Sequence, residues 1–277
     1  MKFLADAVAF TFEADEAPSG FQALTELPLV IMVGLTGVGK STVLELLSKN
    51  GLNFTLLPNR RQITDQIIIA SLQAEAGQIP YPVSDRVERF EYTARYRAKF
   101  PGGMAHALSR LVINPAQIKP LLIFDGLRGL NEVQHAIVYF PLARFIVLDA
   151  PDTIRLNRLL KREDVFDTTG AVPRQGSLAS QNLMAALLAV PNIEAIFSEE
   201  QLRQVAKGTR FAQIPVDEVI QKVSIIVKER HNYDSNAARV YLTRTFPAQR
   251  VLVVNTATLS AQAVAQRMAK WLETSSK

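Results

Sequence analysis

Nine consecutive residues, 34–42, have the types and spacing of a phosphate-binding loop. They spell GLTGVGKST and match the Walker A pattern G-x-x-x-x-G-K-[S/T]. Glycines let successive backbone N–H groups turn towards a phosphate chain, and the positive end of a following helix would face the same anion. Lys40 would contact the β- and γ-phosphates, and the Ser41 hydroxyl would bind Mg²⁺. We therefore predict ATP and Mg²⁺ as cofactors, with these nucleotide-binding residues: Gly34, Thr36, Gly37, Val38, Gly39, Lys40, Ser41 and Thr42.

A second group with chemical potential is the carboxylate of Asp125, which follows four apolar residues, 121–124. Next to a phosphate-binding loop, an Asp at the end of a buried strand typically organises Mg²⁺ beside the loop hydroxyl. We therefore predict Asp125 as a metal ligand with Ser41 and as a catalytic residue with Lys40. The next residue is Gly126, where motor-type ATPases usually carry a Glu that activates water. This favours transfer to a bound acceptor over hydrolysis, and Arg128 is a further candidate for substrate binding.

A row of arginines follows at helical spacing. Arg155, Arg158 and Arg162 fall at i, i+3 and i+7, on one face of a predicted helix whose leucines take the other face. Guanidinium groups near phosphates can neutralise the charge that develops on a transferred phosphoryl group. Arg158 and Arg162 are therefore predicted to be catalytic. The alternative is a solvated face paired with the acidic residues at 163–164.

The acceptor is expected to bind within residues 58–111. Arg60 and Arg61 would bind an anionic acceptor, and Asp65 would take a proton from its hydroxyl group. Asp85 and Arg89 are further candidates, in a stretch where arginines and aromatic residues alternate and could hold a base or a phosphate. Mixed charges on a helix are more often a solvated face, and that alternative stays open.

Buried strands and amphipathic helices must position these groups. Continuous apolar runs predict strands, and each is followed by a stretch with helical periodicity. This alternation indicates a doubly wound parallel sheet. Residues 1–27 are predicted to be a peripheral segment that ends in a loop. The predicted strands are 29–33, 54–57, 121–124, 145–148 and 251–254, and the predicted helices are 41–49, 62–76, 84–98, 104–111, 130–139, 153–162 and 260–272.

Residues 164–247 nearly lack strand signals and read as a helical insertion. We predict a core over 1–163, a lid-like helical subdomain over 164–247 and completion of the core over 248–277. The subdomain is expected to overhang the phosphate site and to move when ligands bind. The helices predicted inside it are 178–189, 199–207, 216–229 and 234–244.

Composition excludes several classes of protein. With 48% hydrophobic residues among 277, the chain can bury a core and is not generally disordered. It has no cysteine, which excludes disulfides, thiolate metal sites and a cysteine nucleophile and fits a reducing compartment. Its three histidines are too far apart to predict a metal site. The N-terminus lacks a cleavage signal and no long apolar run exists, so we expect a cytoplasmic protein without a membrane partner.

Several segments resemble known families. The P-loop, the stretch FDGLRGLNEVQ and the stretch FIVLDAPDTIRLNRLLKRED are similar to nucleoside and nucleotide kinase-like P-loop proteins, dephospho-CoA kinases and related archaeal proteins in particular. The closing segment VLVVNTATLSAQAVAQRMAKWL resembles theirs too. The resemblance implies a three-layer α/β P-loop fold with a five-stranded parallel sheet, ATP and Mg²⁺ binding, and a lid over the phosphates. The long helical insertion and the acceptor region depart from these families, so the acceptor stays open.

Three functions remain compatible with the sequence. The first is an ATP-dependent, kinase-like phosphotransferase acting on a small molecule or a nucleotide. The second is a P-loop ATPase that acts as a regulatory switch or on nucleic acid, for which a net charge of +5 and basic residues scattered over 203–250 would supply a surface. The third is a nucleotide-binding structural protein. The absence of a carboxylate after Asp125 favours the first.

Overall fold

The structure is a computed structural model that describes residues 2–5, 7–11, 19–161, 183–211 and 214–274. The chain divides into two compact units. The sheet unit comprises Met1–Gly34, Gly39–Asp149 and Asp234–Lys277, and the helical unit comprises Leu35–Val38 and Ala150–Tyr233. The divisions predicted from the sequence, 1–163, 164–247 and 248–277, fall at other residues and stay a prediction.

Strands and helices are numbered in chain order. The strands are β1 (Lys2–Ala5), β2 (Val8–Phe10), β3 (Gln22–Ala23), β4 (Leu29–Val33), β5 (Phe54–Leu56), β6 (Leu111–Ile113), β7 (Leu121–Leu127), β8 (Arg144–Asp149) and β9 (Val251–Asn255). The helices are α1 (Lys40–Lys49), α2 (Arg60–Ile63), α3 (Ala70–Glu75), α4 (Arg86–Lys99), α5 (Met104–Ser109), α6 (Leu130–Tyr139), α7 (Asp152–Leu160), α8 (Leu183–Leu188), α9 (Glu199–Phe211), α10 (Val216–Asn232), α11 (Ser235–Thr245) and α12 (Ala261–Thr274). A π-helical turn, Thr64–Ile69, joins α2 to α3 and interrupts the single helix predicted over 62–76.

A five-stranded parallel sheet forms the centre of the sheet unit, in the order β5-β7-β4-β8-β9. All five residues of the middle strand, β4, are buried, because helices cover both faces. Leu29, Ile31 and Val33 face a core that includes residues of α5, α6 and α11, whereas Val30 and Met32 alternate with them and are buried on the opposite face. The predicted α/β fold with a parallel sheet is confirmed.

A second, antiparallel sheet of the sheet unit was not predicted. Its order is β1-β2-β6-β3, so that β6 lies between strands contributed by the first 23 residues. Val8, Ala9 and Phe10 pair with Ile113, Val112 and Leu111, and all six side chains are buried. The expectation that residues 1–27 are only a peripheral segment is therefore wrong. The strands were missed because each has two to four residues, and because β6, the partner of β2 and β3, lies about a hundred residues after them.

The helical unit has an apolar core of its own. Helix α10 packs against α7 and α8, and α8 packs against α9. Leu156, Leu187, Val223 and Ile226 are among the fully buried residues of this core. The helices predicted at 199–207 and 216–229 correspond to α9 and α10. The helix predicted at 178–189 overlaps α8, and its first residues, 178–182, lie outside the described residues.

No helix in the described part of the chain combines the length and the apolar character needed to cross a membrane.

Candidate functional site

The loop over residues 34–42 connects β4 to α1, and two of its glycines have conformations that other residues rarely adopt. Gly37 and Gly39 have φ angles of +85° and +99°. Gly39 is the N-cap of α1, and no side chain of the described residues caps this helix end. The first turn of α1, with the positive end of its dipole, is therefore left to accept an anion.

Lys40 lies against the beginning of its own loop. Its Nζ donates a hydrogen bond of 2.6 Å to the Gly34 carbonyl oxygen. The Gly34 N–H in turn donates to the Leu127 carbonyl oxygen at 3.0 Å, which ties the loop to the end of β7. A bound phosphate would offer the Lys40 ammonium group charged oxygens in place of a neutral carbonyl, a stronger interaction.

Asp125 lies at a β-bulge in β7. Ile31 of β4 pairs with Phe124, but Val33 pairs with Leu127, so β7 carries one extra residue at this point. A bulge redirects the side chains that it contains. Asp125 is half-buried and Ser41 is exposed. Both offer the hard oxygen ligands that suit Mg²⁺, which usually takes one or two protein ligands and keeps water and phosphate oxygens.

The residue after Asp125 must be glycine for a steric reason. A Cβ atom on Gly126 would lie 2.2 Å from Cζ of Phe124, whose ring is fully buried. Any larger residue would force that ring to move. A carboxylate therefore has no room directly after Asp125.

Thr36, at the tip of the loop, is held by two charged residues of the helical unit. Its N–H and its hydroxyl group donate to the Glu229 carboxylate, and its carbonyl oxygen accepts from Nε of Arg155. Sequence reasoning missed Glu229, which lies 193 residues after Thr36 and belongs to no motif.

The arginines of α7, predicted to form a row on one helix face, differ from one another in exposure. Arg155 is fully buried, and this burial lowers its pKa, while Glu229 and Asp152 oppose the shift. Arg158 is half-buried and donates to the Gly37 carbonyl oxygen at 3.2 Å. Burial also lowers the pKa of Arg158. Arg162 lies outside the described residues.

Arg60 is engaged by the turn that follows β7. It makes a bidentate ion pair with Glu132, with distances of 2.7 and 3.0 Å, and donates to the Gly126 carbonyl oxygen at 2.7 Å. Glu132 also accepts from the N–H of Arg128 at 2.9 Å. Arg60 and Glu132 together hold the backbone between Asp125 and Arg128. The structure therefore gives Arg60 a supporting contact, and its role in binding an acceptor stays a prediction.

The other residues predicted to bind the acceptor have different environments in the structure. Asp65, on the π-helical turn, forms an ion pair with Arg89, which also donates to the Val83 carbonyl oxygen. Asp85 is the N-cap of α4 and accepts from the Glu88 N–H at 2.8 Å. Arg61 is exposed. The structure therefore brings Asp65 and Arg89 together and gives Asp85 a local structural contact.

One family model matches the chain. Residues 30–167, just under half of the chain, match the model described as an AAA domain. This segment contains the loop 34–42, Asp125 and α7. The segment is thus similar to AAA domains.

Solved structures with similar folds show low identity. A sugar kinase from Janibacter sp. HTCC2649 is 14% identical, with 89% of this chain and 95% of that chain covered and a TM-score of 0.40. The shikimate kinase from Acinetobacter baumannii is 16% identical, with 90% and 94% covered and a TM-score of 0.36. A sulfotransferase from Alicyclobacillus acidocaldarius is 12% identical, with 89% and 81% covered and a TM-score of 0.37. Likenesses this weak carry no argument about function. No curated protein matches the sequence.

Proposed function

We propose that this protein is an ATP-dependent phosphotransferase that moves the γ-phosphoryl group of ATP to a small molecule or a nucleotide. The observation that carries the proposal is the loop 34–42, with two glycines at positive φ, an uncapped helix N-terminus and Lys40 directed at the loop. These features together support the binding of a phosphate chain.

Transfer rather than hydrolysis is supported by the crowding at Gly126. The Phe124 ring occupies the space that the Cβ atom of a glutamate at position 126 would need. An attacking hydroxyl group would then come from a bound acceptor. As the bond between the γ-phosphorus and the bridging oxygen breaks and ADP leaves, the acceptor oxygen bonds to phosphorus and its proton passes to a base, for which Asp65 is our candidate.

The other residues bind and orient. Lys40 and the N–H groups of the loop would hold the phosphates, and Ser41 and Asp125 would hold Mg²⁺, which neutralises charge on the phosphate oxygens. Arg158 and Arg162 remain candidates to neutralise the transferred group. On the acceptor side, Arg61 is exposed and is the better placed of the two neighbouring arginines to contact an anion.

Transfer is tested by following label from γ-³²P-ATP, with and without pools of sugars, nucleotides and dephospho-CoA. We expect one of these sets of compounds to yield a labelled product, with little release of free phosphate. Phosphate release that is independent of every pool and is stimulated by DNA or RNA would overturn the proposal in favour of a nucleic-acid-associated ATPase.

Replacing Asp125 by asparagine should lower Mg²⁺-dependent turnover on the order of 100-fold, because the lost charge acts on the ion. Nucleotide affinity measured in EDTA should stay unchanged. The matched control is Asp234→Asn, since Asp234 is the N-cap of α11 and asparagine caps a helix equally well. If the substitution weakened nucleotide affinity equally in Mg²⁺ and in EDTA, Asp125 would have a structural role.

We further propose that the helical segment 164–247 responds to bound nucleotide, as a lid would. At an ATP·Mg²⁺ concentration about 100 times Kd, amide exchange in α9 and α10 should slow by up to about 100-fold. Hydrogen exchange read by mass spectrometry measures this. Protection confined to residues 34–42 would show that the segment is a separate binding module.

A further inference from the structure

One buried ion pair of the helical unit binds every polar group of a single loop residue. Glu229, on α10, is fully buried, and both of its carboxylate oxygens are used. Oε1 accepts from the Thr36 hydroxyl at 2.5 Å, and Oε2 accepts from the Thr36 N–H at 3.0 Å and from Nη2 of Arg155 at 2.5 Å. Nε of Arg155 donates to the Thr36 carbonyl oxygen at 2.8 Å.

Further contacts hold this ion pair in place. Nη1 of Arg155 donates to Asp152 at 2.5 Å, and Asp152 also accepts from Nε of Arg230. Charged groups that are buried and paired in this way have few alternative geometries, because any other arrangement leaves a charge without a partner. The position of Thr36 is therefore fixed by α7 and α10.

The next loop residue is packed equally closely. A Cβ atom on Gly37 would lie 2.9 Å from the Arg155 carbonyl oxygen, and the Gly37 carbonyl itself accepts from Arg158. The direction in which the following peptide groups point thus depends on where Thr36 and Gly37 are held. The contacts of Thr36 with Glu229 support the loop, and the direct nucleotide contact predicted for Thr36 from the sequence stays a prediction.

We propose that Glu229 is a positioning residue for the nucleotide: through Thr36 and with Arg155, it sets the loop in the conformation that binds the phosphates. The inference rests on the proposed function. It extends the site to a residue outside the P-loop pattern and outside the segment that matches the family model.

The test measures ATP·Mg²⁺ affinity by calorimetry and the melting temperature for Glu229→Gln, Thr36→Val and the double variant. Each single change should weaken ATP about tenfold, within the usual range for losing a group that supports a binding residue. The loss of ATP affinity in the double variant should be smaller than the product of the two single losses, because both changes remove the same contact.

A control separates positioning from general stability. Leu187→Ala opens a cavity in the apolar core of the helical unit, at a residue that is not part of the ion pair. It should lower the melting temperature without changing ATP affinity. If Glu229→Gln melts early but binds ATP normally, Glu229 is structural only and the inference fails.

Two other outcomes are separable. If Glu229→Gln does not fold, Thr36→Val decides alone, since it leaves the ion pair in place, and normal ATP binding by that variant overturns the inference. If the unchanged protein binds no ATP, the proposed function itself fails, and the inference fails with it.

Discussion

Lys40→Ala is expected to weaken ATP·Mg²⁺ binding on the order of 100-fold, because it removes charge-assisted hydrogen bonds to phosphate oxygens. The fold should be retained, since Lys40 is half-exposed and its bond in the structure is to the carbonyl of Gly34, in the same loop. Calorimetry measures the affinity, and circular dichroism verifies the fold.

The matched control is Lys49→Ala in the same helix. Lys49 is exposed and pairs only with the exposed Glu45 among the contacts described for it, so ATP affinity should not change. An unchanged affinity in folded Lys40→Ala would contradict the assignment of residues 34–42 as a phosphate-binding loop.

Arg155→Met should lower the free energy of unfolding by about 3–5 kcal/mol, the usual cost of leaving a buried charge without its partner. The charge concerned is Glu229, which like Arg155 is fully buried. Asp152 keeps its second partner, Arg230. Urea denaturation followed by circular dichroism measures the loss.

Two comparisons sharpen this result. Arg203→Met removes an arginine of α9 whose pair with Glu199 is exposed, and no measurable change is expected. Arg155→Met combined with Glu229→Met removes both buried charges and should recover part of the stability that the single change loses. A double variant less stable than the single one would mean that the contacts to Thr36 outweigh the cost of the unpaired charge.

Local patterns were enough to predict the elements that carry the loop. The run of apolar residues over 29–33 and the helical periodicity after Lys40 match β4 and α1 within one residue. Both signals are contained in short stretches of sequence, where side-chain periodicity directly reflects which face is buried. From the sequence, Gly126 was interpreted only as the lack of a water-activating glutamate. The structure adds that the Phe124 ring leaves no space for a larger side chain at this position.

Contacts between distant segments could not be predicted in the same way. Glu229 lies in an amphipathic helix whose periodicity says only that one face is buried, and nothing in it distinguishes a carboxylate that reaches Thr36. Likewise, the pairing of Arg60 with Glu132 depends on how α2 approaches the turn after β7. Such contacts arise from the packing of whole elements, which local patterns in a sequence do not reveal.

The antiparallel sheet extends beyond the segment 30–167 that matches the family model, so we do not expect that segment to fold by itself. A fragment cut to residues 30–167 would keep β6 but lose β2 and β3, its neighbours on either side, together with the edge strand β9. Leu111, Val112 and Ile113, all buried in the full chain, would then present apolar side chains and open hydrogen-bonding edges to solvent. Such edges recruit other chains, and the fragment would aggregate. In the full chain, β2 and β3 pair with both edges of β6 and so prevent it from pairing with other chains.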